Sequence, residues 1–281
     1  MTRTNEKVKK MLDQRTQDTV REAAGLIGRL FIIRRDVKAV YRADHAGRWH
    51  WTAVREKYTM GDFANHLTGK ECLGAYLLSP ASMCKFLAFD IDVAKIGKFW
   101  PIHDTGNPAE FEVRLDLEEG PLEAILHDVT SDARPWVRII LMEAIRDIAD
   151  QVRAQLGLTD ILTIITGGGA HVLVPLPGLN PALDVRSAGI EVVAHIAAAT
   201  RRTDVFFDYG SLGELSIEIF PKQDRLDESG LGNLIRLPFG WHHEAGIRTF
   251  AIDPADEPHP IWNFRKIGSL DALRRLVQTV S

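Results

Sequence analysis

The sequence contains only two cysteines, Cys72 and Cys84, among 281 residues. Two thiols are too few for a four-cysteine zinc cluster or a disulfide framework, so we expect reduced, partly buried thiols of a cytoplasmic protein. A zinc site that combines both cysteines with two histidines stays open. No stretch approaches the roughly 18 apolar residues of a membrane span, and the N-terminus lacks a signal-peptide core, so no membrane partner is expected.

An overall basic excess is also lacking, because the formal net charge is −4. The charge is unevenly distributed, however. Residues 1–60 carry fourteen Lys/Arg against seven Asp/Glu, whereas residues 103–160 carry five against thirteen. Such asymmetry fits a surface that binds the phosphates of single-stranded DNA, to which Arg34, Arg35, Lys38 and Arg42 would contribute. It fits a solvated helix face equally well.

No internal repeat, low-complexity tract or linker divides the chain. We therefore predict a single domain over residues 1–281, with an N-terminal elaboration at 1–75, a catalytic core at 76–255 and a C-terminal tail helix within 256–281. The acidic, irregular stretch at 103–133 is interpreted as an insertion.

Periodicity predicts the elements of that domain. Helices are predicted at 5–28, 62–67, 134–156, 181–202 and 270–280. Strands are predicted at 30–33, 38–42, 49–52, 75–78, 85–92, 161–165, 172–176 and 215–220, with an edge strand or hairpin arm at 111–117.

The most informative strand is KFLAFDID at 85–92, an apolar run that ends in Asp90 and Asp92. Residues at i and i+2 project from one face of a strand, with Cα atoms roughly 6.5–7 Å apart. Two such carboxylates repel each other unless a cation lies between them, and oxygen ligands favour Mg²⁺ or Mn²⁺ over Zn²⁺. Alternatively, both aspartates simply point into water.

A second motif is ThrGlyGlyGlyAlaHis at 166–171, which lies between two predicted strands. Glycines allow a positive φ and a close approach of backbone N–H groups to an anion, and His171 could donate to a phosphate oxygen. A glycine-rich hairpin with an incidental histidine is the alternative. The motif is neither a Walker A loop nor a dinucleotide fingerprint.

The third feature is Glu218, within the apolar strand at 215–220. A glutamate there is costly unless it is paired or lies on an exposed edge. If this strand lies beside 85–92, Glu218 becomes a third metal-facing carboxylate. Cations follow it in the sequence, each of which could also be a solvated surface charge: Lys222, Arg225, Arg236, His242 and His243.

In this order, the three motifs resemble those of the archaeo-eukaryotic primase superfamily. The segments IEIFPKQ at 217–223, GLGNLIRLPFGWH at 230–242 and HLTGKECLGAYLL at 66–78 are similar to primase-polymerases of bacterial conflict systems and CRISPR-associated loci. The resemblance covers roughly residues 30–250.

The resemblance implies an α/β fold with an RRM-like catalytic core and a smaller N-terminal α/β part. It implies a DNA-dependent primase or polymerase in which Asp90, Asp92 and Glu218 bind two Mg²⁺ or Mn²⁺ ions. The residues implied in binding the nucleoside triphosphate are Thr166, Gly167, Gly168, Gly169, His171, Lys222, Arg236 and His242. Thr166 replaces the serine that is usual in the family and keeps its hydroxyl.

The implied partner is a single-stranded or primed DNA template, or an RNA template. The zinc module of some primases and all helicase motifs are absent from the sequence, so a helicase, nuclease or CRISPR-associated partner would supply those functions. Two other functions stay open: a metal-dependent nuclease or phosphodiesterase that uses the same carboxylates to activate water, and a catalytically silent module that binds single-stranded nucleic acid.

Overall fold

The computed structural model describes residues 3–93, 135–199, 215–226, 230–243, 245–254 and 266–280. The predicted hairpin arm at 111–117 and the acidic insertion at 103–133 lie outside these residues. Five α-helices are described: α1 (Arg3–Phe31), α2 (Met60–Thr68), α3 (Pro135–Gln151), α4 (Ala182–Ala199) and α5 (Ser269–Val280). A π-helical turn, Val152–Leu156, extends α3 and ends at Gly157, whose φ is 66°. None of these helices combines the length and the apolar character that crossing a membrane requires.

Helix α1 corrects one prediction, because it includes Leu30 and Phe31, where a strand was expected. The apolar stripe of α1 continues at helical spacing to these residues, and both are buried. Gly28 does not end the helix. A Cβ at Gly28 would lie 2.9 Å from the ring of Phe63, so glycine allows α2 to pack closely against α1.

Twelve β-strands are described, and their pairs are all antiparallel. They are β1 (Lys38–Ala43), β2 (Trp49–Val54), β3 (Cys72–Tyr76), β4 (Met83–Val93), β5 (Leu162–Ile165), β6 (Gly169–Pro181), β7 (Leu215–Phe220), β8 (Leu234–Arg236), β9 (Trp241–His242), β10 (Ile247–Arg248), β11 (Phe250–Ile252) and β12 (Lys266–Ile267). The large sheet has the order β12-β11-β5-β6-β4-β7, and the small sheet has the order β2-β1-β3-β8. Strands β9 and β10 form a separate pair.

Side-chain parity along β4 decides which face of the large sheet carries the aspartates. Phe89 and Ile91 are buried in a core formed with α3 and α4. Ala88 is buried on the opposite face, in a second core that includes residues of α1, α2 and α5. Because side chains alternate along a strand, Asp90 and Asp92 project from the same face as Ala88. The aspartates therefore lie where the second core ends, on the side of the small sheet.

The two sheets are interleaved along the chain. Strand β8 follows β7 of the large sheet, yet it pairs with β3 of the small sheet, where Arg236 lies opposite Gly74. The chain then returns to the large sheet, because β11 pairs with β5. Helix α5 also packs into the second core, and Leu273 is fully buried there. The division at residues 75 and 255 stays a prediction.

The two cysteines are free and buried, as expected of reduced thiols. Burial raises the pKa of Cys84 to about 12, which keeps this thiol protonated and unreactive.

Candidate active site

The sheet register places three polar side chains in one row. Asp90 of β4 lies opposite His171 of β6 on one side and opposite Glu218 of β7 on the other. Directly opposed residues of antiparallel strands have Cβ atoms about 4.5–5.5 Å apart. Asp92 lies two positions along β4 on the same face. The structure thus brings together the three carboxylates and the histidine that the sequence singled out.

Asp90 is held in its ionised form. Burial alone would raise its pKa, but the nearby His171, Lys222 and Arg236 lower the pKa below its usual value. The Nε2 atom of His171 lies 3.2 Å from Oδ1 of Asp90 and donates a hydrogen bond to it. His171 was expected to face a phosphate, and in the structure it contacts the aspartate.

The pKa of Asp92 is shifted in the opposite direction, above its usual value. Desolvation by the surrounding protein, together with the negative charges of Asp90 and Glu218, raises its pKa to about 6. The side chain nevertheless reaches solvent. The raised pKa shows that the ionised carboxylate is disfavoured at this position, and a bound cation would stabilise it.

Glu218 is paired with the first of the predicted cations. The ammonium group of Lys222 donates a hydrogen bond to Oε2 of Glu218, and it also lies 4.8 Å from the ring centroid of Phe220. The side chain of Lys222 is 33% exposed and that of Glu218 is 45% exposed, so solvent and other ions can reach the pair.

The glycine loop forms a tight turn before β6. The Thr166 N–H donates to the Gly169 carbonyl over 3.0 Å, and Gly167 has a φ of 97°. A Cβ at Gly169 would lie 1.8 Å from the carbonyl oxygen of Ile91, so only glycine lets β6 approach β4 beside Asp92. A Cβ at Gly168, by contrast, would have no atom within 4 Å. The tip of the loop therefore has open space above it.

Arg236 lies on the small sheet and acts on this site through its charge. Its guanidinium lies 5.1 Å from the ring centroid of Tyr41 and 5.7 Å from that of Trp51. Its Nη1 atom also donates to the carbonyl oxygen of Trp241 over 3.5 Å. These contacts hold the guanidinium on the face of the small sheet, from which it acts electrostatically on Asp90.

His242 lies apart from the acidic row, in the β9–β10 pair. Its Nδ1 atom accepts a hydrogen bond from the N–H of Ala245 over 3.2 Å, within its own hairpin. Its predicted role in nucleotide binding stays a prediction.

Two of the four N-terminal basic residues are engaged inside the protein. Arg34 is buried and makes a bidentate pair with Asp36. Lys38 is buried and bridges to Asp62 over 3.0 Å. The expected phosphate-facing surface is therefore reduced to Arg35 and Arg42, which are exposed.

The sequence did not single out His66, which supports the segment after Arg236. Its Nδ1 accepts from the Leu73 N–H over 3.1 Å, and its Nε2 donates to the Pro238 carbonyl over 3.0 Å. Burial lowers its pKa to about 4. A neutral ring thus ties β3 to the chain beyond β8. The sequence segment HLTGKEC contains His66, but Pro238, whose carbonyl it contacts, lies 172 positions away in the sequence.

The carboxylates of the acidic row can be compared with the ligands that a divalent cation requires. Carboxylate oxygens and an uncompensated charge at Asp92 fit Mg²⁺ or Mn²⁺ in ligand type. As placed in the described part of the chain, however, no three His, Cys, Asp or Glu side chains converge on one point. Glu218 is turned to Lys222 and Asp90 to His171, so binding an ion would require Glu218 to leave its lysine.

The chain was compared with known proteins. The family model described as "TOTE conflict system, Archaeo-Eukaryotic Primase domain" matches residues 50–272. The solved polymerase domain from Mycobacterium tuberculosis Ligase D in complex with DNA is 12% identical, with a TM-score of 0.48, and the alignment covers 93% of this chain and 87% of that chain. The search of curated proteins found no match. The matched residues include every predicted site residue.

Proposed function

Because the chain belongs to the archaeo-eukaryotic primase domain family of TOTE conflict systems, we propose that it is a template-directed primase-polymerase that uses nucleoside triphosphates. The family match confirms the resemblance and the α/β primase-type fold that the sequence predicted. Membership also supports nucleotidyl transfer as the class of reaction. The observation that carries the proposal is the row formed by His171, Asp90 and Glu218, with Asp92 beside it.

In this proposal, Asp90, Asp92 and Glu218 would hold two Mg²⁺ or Mn²⁺ ions once Glu218 has left Lys222, and the bound ions would supply activation of a 3′-hydroxyl and charge neutralisation at the triphosphate. His171 keeps the Asp90 carboxylate ionised and oriented through its hydrogen bond. The 3.2 Å between Nε2 of His171 and Oδ1 of Asp90 is within hydrogen-bonding range and supports that role, because a hydrogen bond to an ionised carboxylate orients both partners.

The remaining predicted residues bind the incoming nucleotide. The open tip of the loop at Gly168 gives room for the triphosphate beside the backbone N–H groups. Lys222 leaves Glu218 and pairs with a phosphate. Arg236, held across Tyr41 and Trp51, presents its planar guanidinium to the same ligand.

The test is an assay with Mg²⁺ or Mn²⁺, all nucleoside triphosphates, and primed and unprimed single-stranded DNA or RNA templates. Products longer than the primer, or new chains on unprimed template, support the proposal. Shortening of the labelled strand would identify a nuclease instead. Binding of the strand with neither outcome would leave the chain as a silent binding module.

A further inference from the structure

An aromatic face, formed by Tyr41, Trp49 and Trp51 with His243 beside them, lies on the small sheet next to Arg236. The register fixes its composition: Tyr41 lies opposite Trp51, and Ala43 opposite Trp49. The three aromatic residues therefore share one face of the β1–β2 hairpin. The opposite face of this sheet is buried, because Leu73 and Ile235 pack into the second core.

The rings are arranged more parallel than edge-on. Trp49 and His243 have centroids 4.1 Å apart and planes 18° apart. Trp49 and Tyr41 have centroids 5.5 Å apart and planes 22° apart. The Tyr41 and His243 centroids are 6.3 Å apart, so the three rings form a triangle and not a column. Trp49 remains 43% exposed, and it is one of few large hydrophobic side chains in the described residues with such exposure.

Charge complementarity indicates what could cover this face. Of the described strand positions that share the face, Arg236 is charged and none is acidic. Arg48, at the tip of the β1–β2 hairpin, precedes Trp49 and has an 82% exposed side chain that pairs with Asp44 over 2.9 Å. Flat rings beside the guanidinium of Arg236 form a surface that suits bases linked by phosphates, because every base has a π-face and every link an anion.

We propose that the aromatic face stacks unpaired bases of a single-stranded nucleic acid, with Trp49 as its outermost ring. Arg236 borders the aromatic face and also acts electrostatically on Asp90, so this arginine links the aromatic face to the acidic row. Identification of the bound strand as the template rests on the proposed function, whereas the stacking itself does not.

The test is the affinity of the full chain for a fluorescently labelled single-stranded DNA 20-mer, measured by anisotropy with EDTA and without nucleotide. Trp49→Ala should weaken binding about fivefold to a hundredfold, since stacking on one aromatic side chain contributes on that scale. Trp49→Phe keeps a ring and should recover most of the affinity. Leu183→Ala removes another exposed apolar side chain (49% exposed) far from the rings in sequence, and it should have no effect.

An oligonucleotide with abasic sites separates stacking from charge. The wild type should bind it more weakly, and Trp49→Ala should then cause no further loss. Equal binding of the normal 20-mer by wild type and Trp49→Ala, or an equal loss on both oligonucleotides, would overturn the inference. So would a wild type that binds no single strand and instead uses this face to bind a protein. If Trp49→Ala lowers the melting temperature, His243→Ala provides the same comparison.

Failure of this inference is distinguishable from failure of the proposed function. If Trp49-dependent binding is found but no nucleotide is ever incorporated, the stacking surface stands and the polymerase does not. If nucleotide is incorporated with no dependence of template affinity on Trp49, the polymerase stands and the stacking surface does not.

Discussion

Asp90 and Glu218 lie directly opposite each other on β4 and β7, although 128 positions of sequence separate the two strand positions. The two carboxylates differ in the side chain that stabilises their charge: Asp90 accepts a hydrogen bond from His171, whereas Glu218 is paired with Lys222. The same row therefore contains one carboxylate held within the sheet by a histidine and one that is paired with a partly exposed lysine.

Asp90→Asn should abolish nucleotide incorporation while the chain stays folded. The amide keeps the shape of the carboxylate but removes the charge that a metal would need, and the loss should exceed the ten- to hundredfold typical of residues that only support metal ligands. Incorporation and thermal melting should both be measured. Asp18→Asn, on the exposed surface of α1, is the control and should retain full activity. A folded Asp90→Asn enzyme of normal activity would remove Asp90 from the site.

Lys222→Met should strengthen Mn²⁺ binding in the absence of nucleotide, because it removes the cation that pairs with Glu218. Exposed ion pairs contribute about 0.2–1 kcal/mol, so the gain should be about 1.4- to fivefold. Electron paramagnetic resonance of free Mn²⁺ measures this gain directly. Lys57→Met, at an exposed lysine elsewhere, should change nothing. Weaker Mn²⁺ binding by Lys222→Met would contradict the prediction.

Two neighbouring glycines should respond differently to alanine. Gly169→Ala places a Cβ 1.8 Å from a backbone oxygen of β4, so the free energy of unfolding should fall by about 1–3 kcal/mol or more. Gly168→Ala meets no atom within 4 Å and should keep its melting temperature. If the loop tip receives the triphosphate, Gly168→Ala should instead raise the KM for nucleotide. An unchanged KM in Gly168→Ala would place the triphosphate elsewhere.

His171→Ala should lower the use of nucleotide about ten- to hundredfold, on the scale of one charge-assisted hydrogen bond. The kinetic parameters KM and kcat distinguish two roles of His171. A rise in KM would show contact with the nucleotide, while a fall in kcat with constant KM would show that His171 acts only by orienting Asp90. Single-stranded DNA affinity measured without nucleotide should hardly change, and a loss there would contradict both roles.

Acid should destabilise the protein through His66. Its pKa in the folded chain is about 4, below the usual 6.5, so between these values the unfolded chain binds the proton and the folded chain does not. Stability should therefore fall as the pH drops from about 6.5 to 4, by on the order of 3 kcal/mol from this group. Denaturant unfolding at several pH values would show it. His66→Gln should flatten this dependence, whereas His195→Gln, at an exposed histidine of α4, should leave it intact.

Local patterns were enough to predict the strands of the acidic row. The apolar alternation around Asp90 and Glu218 is set by neighbours in sequence, whereas the pairing of the two strands entered the sequence analysis only as a condition, which the structure meets. The contact of Arg236 with Tyr41 and Trp51 could not be predicted in this way, because it depends on pairing between β3 and β8. Trp49 and Trp51 are two positions apart in the predicted strand at 49–52, but nothing local revealed that the face they share meets an arginine.

The wrong prediction at residues 30–33 has a similar cause. Leu30 and Phe31 lie in an apolar run preceded by glycine, which locally favours a strand as much as a helix. Packing of α1 against α2 and the large sheet stabilises the helical conformation at these two residues. That packing involves Phe63 and Phe86, which are distant in sequence. The ion pair of Lys222 with Glu218 likewise depends on how the chain turns after β7.

The pairing of β8 with β3 also constrains how the chain can fold during synthesis. Arg236 and Cys72, which are in contact, are 164 positions apart. A ribosome releases β1, β2 and β3 long before β8, so the nascent small sheet has an open edge while β4 to β7 are still being made. Contacts this distant in sequence form slowly. The nascent protein therefore gains Arg236 only after all three carboxylates have emerged, so the candidate site cannot be complete before β8 has been synthesised.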